Sequence, residues 1–559
     1  MKSIRNIIQI DDISKYRSEL MGWSILWIMM LHFGFYDVKP LGFIAQYGYA
    51  GVEIFMFVSG FGLFFSLDKS PTLFIFFRHR FIRIFPAYYI VGFLASFLMF
   101  HDTVPQYLYR YSTIGFWARD GIFGDWFIPS IVLLYLIVPL FKKIGINGQA
   151  VIAILFLIVS FLLVESKEII DNNHYFLLYR IPAFLFGMIC ARWAQQKTGM
   201  KWYYITLLLS LPFFVWLYPQ FHRVYRYKYF SVLFMMPIFI CSLVFVSKYI
   251  KVFNPIMRKM GEASLEIYLT QGLFFYLIIH QMIKRSEITT FVLIVICSIS
   301  AFFLHGALQK KRHYYLPSII AYMFIGVGIW YATKWQPILQ PAQIHPSYKV
   351  AHHSDDTLRI AMYGDSWVGM HPSELSDSVI AGRPIAFHTC GQGGLTSGEV
   401  YELMFYRSRS LLIGPDYCIV IAGINDASAN VGVDYYCTNY RQIIEHLLTC
   451  QIRPVIVEIP DVDLKSVYGK KPIKDLLCDS YRAFLTASHI YDVAEYRKSL
   501  YSYLELTNLN NNIIYISKDL WNPGGYKDKS LYLDDNIHLN VNGYRKLDSC
   551  ILNKIKHDI

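Results

Sequence analysis

The chain has 559 residues and a formal net charge of +12, with 55% hydrophobic, 17% aromatic and only 16% charged residues. Soluble globular proteins carry about 25% charged residues, so this balance argues against a wholly water-soluble protein and for lipid contact. The basic residues lie in small clusters between apolar runs and not on one soluble face, which argues against nucleic acid as a partner.

Up to about residue 333 the sequence reads as a multi-pass α-helical membrane bundle of about eleven spans: 20–36, 49–67, 84–100, 126–141, 149–164, 175–191, 202–218, 229–247, 264–283, 288–308 and 317–333. Each approaches the roughly 20 residues needed to cross a hydrocarbon core of about 30 Å. Lys2, Arg5, Lys15 and Arg17 precede the first span, and Arg78, Arg80 and Arg83 follow the second. Further clusters follow the fourth, sixth, eighth and tenth spans, among them Lys142, Arg192, Arg258 and Lys310. With a cytoplasmic N-terminus all of these face the cytoplasm, as the positive-inside rule requires, while Arg223, Arg226 and Lys228 would lie outside. The odd span count then puts the C-terminal part outside the cytoplasm. The first span is flanked like an anchor and lacks a small-residue cleavage site, so no cleavable signal peptide is expected.

Ionisable residues inside apolar spans are costly and mark a packing contact or a function. Arg17 and Glu19 stand at the cytoplasmic edge of the first span and His32 near its far end; Glu53 stands at the outer side of the second span. His32 and Glu53 are therefore expected at similar depth in adjacent helices. A histidine oriented by a carboxylate can take a proton from a hydroxyl, and a buried polar pair can equally just lock two helices together. In "FFRHRFIRIFPAYY", Arg78, Arg80 and Arg83 make a basic patch, with Pro86 expected to open or kink the third span. The patch suits a phosphorylated, anionic donor, or it only fixes topology. Tyr107, Tyr109 and Tyr111 either stack on sugar or serve as ordinary interfacial tyrosines.

Pro337, Pro341 and Pro346 mark residues 334–357 as a linker. The 358–559 segment is long enough for one α/β domain. An apolar strand in "LRIAMYGDSW" runs into Ser366; a second, "YCIVIAGIND", ends at Asn425 and Asp426; a third is "RPVIVEIP". Strands alternating with helices predict a parallel sheet whose site lies beyond the strand C-termini. Near the end, Asp535 and His538 stand three apart at the start of an expected helix, a spacing that lets a carboxylate hold an imidazole facing Ser366. Among the cysteines, Cys390, Cys418, Cys437, Cys450, Cys478 and Cys550 fall in this half; spacing does not pair them, and no CxxC or HExxH metal pattern occurs.

The runs "SELMGWSILWIMMLH", "GYAGVEIFMFVSGFGLFF", "DWFIPSIVLLYLIVPLF", "YRIPAFLFGMICAR" and "GEASLEIYLTQGLFFYL", with the arginine segment, resemble the membrane acyltransferase-3 family over residues 14–308, leaving 309–333 as an additional transmembrane helix. That resemblance implies acyl-CoA, commonly acetyl-CoA, as a donor substrate with no permanently bound cofactor, and surface glycans as acceptors. It makes His32 the essential first-span histidine and puts Arg80 and Arg83 at the donor site. Met21 stands where many members have arginine, and Gln271 where many have histidine.

The ordered set of GDS, a glycine run, GxND and DxxH in turn resembles the SGNH hydrolase superfamily, which has a flavodoxin-like α/β fold. It implies Ser366 as nucleophile, His538 as base, Asp535 as its partner, and an oxyanion hole of the Ser366 N–H, Gly394 and Asn425, with Gly391 and Gly393 in the same run. The combination is similar to bacterial O-acetyltransferases of O-antigen, capsule or peptidoglycan in the cytoplasmic membrane. The expected activity is therefore transfer of acetyl across the membrane onto an extracytoplasmic glycan. The alternatives are a carbohydrate esterase with an accessory membrane domain, and a non-catalytic transporter or glycan-binding protein.

Overall fold

The computed structural model describes residues 9–35, 41–118, 126–164, 177–178, 180–196, 228–335, 350–351, 353–375, 379–407, 410–457, 462–468, 470–510, 514–516 and 529–559. The chain divides into two compact units, Met1–Thr333 and Lys334–Ile559.

The first unit is helical. Its principal described helices are α1 (Arg17–Phe33), α2 (Ala50–Asp68), α3 (Leu73–Leu98), α4 (Phe127–Lys143), α5 (Ile146–Val164), α6 (Ile181–Gln195), α7 (Lys228–Tyr249), α8 (Asn254–Glu262), α9 (Ser264–Ile279), α10 (Glu287–Leu308) and α11 (Tyr315–Trp335). Among the described residues four helical segments are long and apolar enough to cross a membrane: α2, α3, α10, and Arg312–Trp335, which includes α11. A fifth arises if α7 and α8, bent by 86° between Met235–Tyr249 and Lys251–Glu262, count as one span. The expected count of about eleven is thus not reproduced. At 1.5 Å per residue the 17-residue α1 and α4 reach only about 26 Å, and the 202–218 span lies outside the described residues. Pro86 neither opens nor ends a span, since it sits inside the continuous 26-residue α3, which also takes in the arginine segment.

Small residues set how closely these helices approach. A methyl on Gly60 would lie 2.1 Å from the Phe184 carbonyl oxygen, and one on Gly187 would lie 2.1 Å from that of Phe57. The backbones of α2 and α6 therefore touch, as Gly22 and Gly261 allow for α1 and α8.

The second unit holds a six-stranded sheet of β1 (Leu358–Gly364), β2 (Val379–Ile380), β3 (Arg383–Gly391), β4 (Tyr417–Ile421), β5 (Arg453–Val457) and β6 (Ile514–Ile516), in the order β2-β3-β1-β4-β5-β6. All pairings are parallel except the β2 edge. Strands β1 and β4 are nearly continuous apolar runs, buried as central parallel strands must be. The longer connecting and flanking helices are α12 (Val433–Thr449), α13 (Ile473–Thr486), α14 (Val493–Leu506) and α15 (Val541–Asp558). Gly364 lies level with Gly391 on one side and Ile421 on the other. Three neighbouring strands thus end together, and the GDS, glycine and GxND loops emerge side by side. None of the nine cysteines is joined in a disulfide.

Candidate active site

At the C-terminal edge of the sheet, Asp365 caps the single helical turn Ser366–Gly369, its carboxylate accepting from the Trp367 N–H at 3.1 Å. The abrupt strand-to-helix turn leaves Ser366 half-buried. His538 Nε2 lies 2.9 Å from Ser366 Oγ, and His538 Nδ1 lies 2.6 Å from Asp535 Oδ2. The other Asp535 oxygen accepts the backbone N–H groups of Ile537 and His538, each at 2.9 Å. The pair occupies this turn and not the start of a helix; α15 begins only at Val541, with Asn540 as its cap. The self-capping aspartate satisfies the backbone locally, which is why no helix is needed to fix the imidazole.

Two buried bonds bring the turn to the serine. The Trp367 indole donates to the Ile537 carbonyl at 3.1 Å, and the Tyr544 hydroxyl donates to the Trp367 carbonyl at 2.8 Å. Burial works against the charge on Asp535, but the hydrogen bonds from His538 and the two backbone N–H groups outweigh it and hold the carboxyl below the usual range. Its side chain is 44% exposed, so solvent reaches this end of the relay. With a carboxylate holding Nδ1–H, His538 Nε2 can accept the Ser366 proton.

The oxyanion side is less simple. Asn425 Nδ2 donates to the Leu395 carbonyl at 3.0 Å and to Asp365 Oδ2 at 3.3 Å, so both of its hydrogens are engaged. Of the three glycines, Gly393 lies against the nucleophile, its virtual methyl 3.8 Å from Ser366 Cβ. Gly394 sits at φ +83°, where only glycine is unstrained, and a methyl there would meet nothing. Gly391 instead closes the β3 end against Gly369 and Val368.

Beneath the loops, Asp426 accepts the N–H of Ser397 at 2.9 Å and its hydroxyl at 2.6 Å, tying the GxND segment to the residues after the glycine run. Burial pushes the carboxyls of Asp365 and Asp426 each up to about 7 against their hydrogen-bond donors, and their like charge adds to the rise at Asp365. Sequence reasoning missed this buried pair, and it missed β3. The half-buried alternation through Ile385 and Phe387 was the signal for that strand.

In the helical unit, the structure brings together part of the expected set. Glu53 is fully buried and faces Arg180, the residue that caps α6, at 3.7 Å, so Glu53 is paired with this arginine and not with His32 as expected. The partner was unreadable in sequence because helix packing supplies it. His32 stacks on Phe275, centroids 4.2 Å apart, and the buried Gln271 faces it. Glu19 is paired with Arg258 at 2.6 Å, which fixes α1 to α8.

The three arginines of α3 differ from one another. Arg78 is exposed. Arg83 is bound through both nitrogens by Glu266, at 2.5 and 3.1 Å, with His305 3.3 Å from the same carboxylate. Arg80 donates to Ser66 and lies near Arg17, which comes close to Gly62. The Nε atoms of Arg17 and Arg80 are buried with no hydrogen-bond partner. Among the described residues Arg17 and Arg80 thus form a cationic pair with unbonded Nε atoms, while Arg83 is paired with Glu266. Glu266 was legible as an ionisable residue inside an apolar run, which calls for a cation. No metal-binding cluster occurs among the described residues.

A bundle with buried charge pairs, followed by an α/β unit with a Ser-His-Asp relay, defines a two-part acyl-handling protein. The acyltransferase-domain family matches residues 20–305, and the GDSL-like lipase/acylhydrolase family matches residues 351–546. The chain belongs to the acyltransferase-3 family and carries a C-terminal GDSL/SGNH-like domain. A viral protein named "Putative acetyltransferase ORF330", from Acidianus two-tailed virus, is 24% identical over 275 residues, spanning 45% of this chain and 80% of that protein. A lipase/acylhydrolase from Enterococcus faecalis is similar in structure, with 19% identity, 36% of this chain and 96% of that chain covered, and a TM-score of 0.26. For an acetylxylan esterase from Geobacillus stearothermophilus the figures are 14%, 35%, 94% and 0.25.

Proposed function

We propose that this protein is a membrane O-acetyltransferase that takes acetyl from cytoplasmic acetyl-CoA and places it on hydroxyls of an extracytoplasmic glycan such as O-antigen, capsule or peptidoglycan. The observation that carries the reading is the hydrogen-bonded Ser366–His538–Asp535 relay in a chain of the acyltransferase-3 family. Arg17 and Arg80 hold the anionic donor, with Arg78 at the rim and Arg83 fixing α3 to α9 through Glu266. His32 takes the proton of the group that first receives the acetyl. His538 then removes the Ser366 proton as Oγ bonds to the acetyl carbon, and passes that proton to the departing oxygen of the group that carried the acetyl. The glycan hydroxyl next attacks the acyl-enzyme with His538 again as base, and the proton returns to Ser366 Oγ as the ester bond breaks. The Ser366 N–H, the Gly393–Gly394 turn and Asn425 stabilise the oxyanion once the amide of Asn425 releases one of its present acceptors. The proposal keeps the eleven-span topology, an N-terminus in the cytoplasm of a bacterial cell and the second unit outside it.

Mass spectrometry of surface glycans from a deletion strain carrying wild type, Ser366→Ala or His32→Ala tests this reading. Loss of the same O-acetyl group in both variants is expected. Unchanged or increased acetylation with Ser366→Ala would reject it in favour of an esterase.

A further inference from the structure

Three buried polar atoms of the helical unit sit together without a hydrogen-bond partner: Nδ1 of His32 on α1, and Oε1 and Nε2 of Gln271 on α9. Gln271 is 1% exposed and faces the imidazole without closing a hydrogen bond of ordinary geometry. Phe275, one turn further along α9, stacks on the imidazole at 4.2 Å and 21°, which fixes the ring. Thr270 beside Gln271 is buried but bonded to the Glu266 carbonyl and the Tyr322 hydroxyl, and further along α9 Leu273, Phe274 and Leu277 are apolar and buried. A residue held for packing alone would be apolar, or satisfied as Thr270 is, because an unsatisfied buried amide costs stability that a methionine of similar length would not.

We infer that Gln271 holds the carbonyl oxygen of the acyl group at His32. This rests on the reading that His32 acts on an acyl donor. The carboxamide is a neutral donor in an apolar setting, which suits a neutral acceptor, and a thioester carbonyl is the neutral acceptor that any acyl-CoA brings. When a hydroxyl attacks, its O–H proton passes to the imidazole of His32 and its oxygen bonds to the acyl carbon. The C–S bond then breaks, and the sulfur leaves as a thiol with the proton from the imidazolium. Throughout, Gln271 Nε2–H donates to the carbonyl oxygen as negative charge grows there, and it gives up no proton.

Gln271→Met and Gln271→Leu in the full-length chain test this. Purified in detergent, both variants are expected to melt at or above the wild-type temperature. In membrane vesicles with their native glycans, both are expected to lower kcat for transfer from radiolabelled acetyl-CoA about 10- to 100-fold, with KM for acetyl-CoA within about threefold. Acetyl-CoA should raise the wild-type melting temperature more than CoA does, and that difference should vanish in both variants. Wild-type kcat in the variants, or a lowered melting temperature with unchanged preference for acetyl-CoA over CoA, would overturn the inference. A wild type that transfers no acetyl overturns the functional reading instead, and the acetyl-CoA-against-CoA shift then decides this inference separately.

Discussion

The distance from Ser366 to His538 is 172 residues in sequence and 2.9 Å in space. The indole of Trp367 does much of the work of closing that gap, because its donation to the Ile537 carbonyl is buried and its removal leaves an acceptor unmatched. Trp367→Phe keeps the ring in the core and removes only the donor. It should lower transfer, or the rate of Ser366 labelling by a fluorophosphonate, about tenfold, while the chain remains folded by circular dichroism. The three side chains that the structure brings together, Ser366, His538 and Asp535, were each singled out in sequence because such chemistry calls for particular residue types at strand ends. Their supports were not: Trp367 reads as an ordinary core aromatic, and the engagement of Asn425 by Leu395 and Asp365 leaves no trace in spacing.

Strand order explains why the three loops meet, since β3, β1 and β4 are neighbours and end level with one another. Below them lie Asp365 and Asp426, whose carboxyls are raised to about 7, well above the roughly 4 of an unfolded aspartate. A raised folded value contributes stability that is complete below pH 4 and lost as pH rises through about 7. Amides of β1 and β4, corrected for intrinsic rate, should therefore exchange on the order of tenfold to a hundredfold faster at pH 8 than at pH 5, measured on the full chain in detergent. Equal protection at the two pH values would exclude ionisable carboxyls at these sites. Among the helices, hydropathy identified apolar segments but not their ends. Turn α8 against α7, or run α3 through Pro86, and composition hardly changes. The α2–α6 contact through Gly60 and Gly187, which delivers Arg180 to Glu53, is a matter of shape and not of hydropathy.

For the molecule as a whole, the proposed relay makes two distant chemistries depend on each other. Covalent connection of the two units in one chain keeps the second at high effective concentration for its own bundle. Co-expression of His32→Ala and Ser366→Ala chains should then restore only a small fraction of glycan acetylation, as read by mass spectrometry. Full restoration would show that a freely diffusing intermediate links the units. The division into two units was visible from the fall in apolar runs near residue 334, and the parallel sheet from the alternation of strands and helices. The number of membrane crossings was less legible, because a 17-residue helix such as α1 or α4 lies at the short end of what spans a hydrocarbon core.

That no disulfide joins the nine cysteines has a consequence for how the protein is made. Burial raises the thiol of Cys418 beyond reach of physiological pH and also raises that of Cys450, which leaves little thiolate to oxidise. Maturation of the α/β unit therefore needs no oxidant, no disulfide isomerase and no particular redox poise.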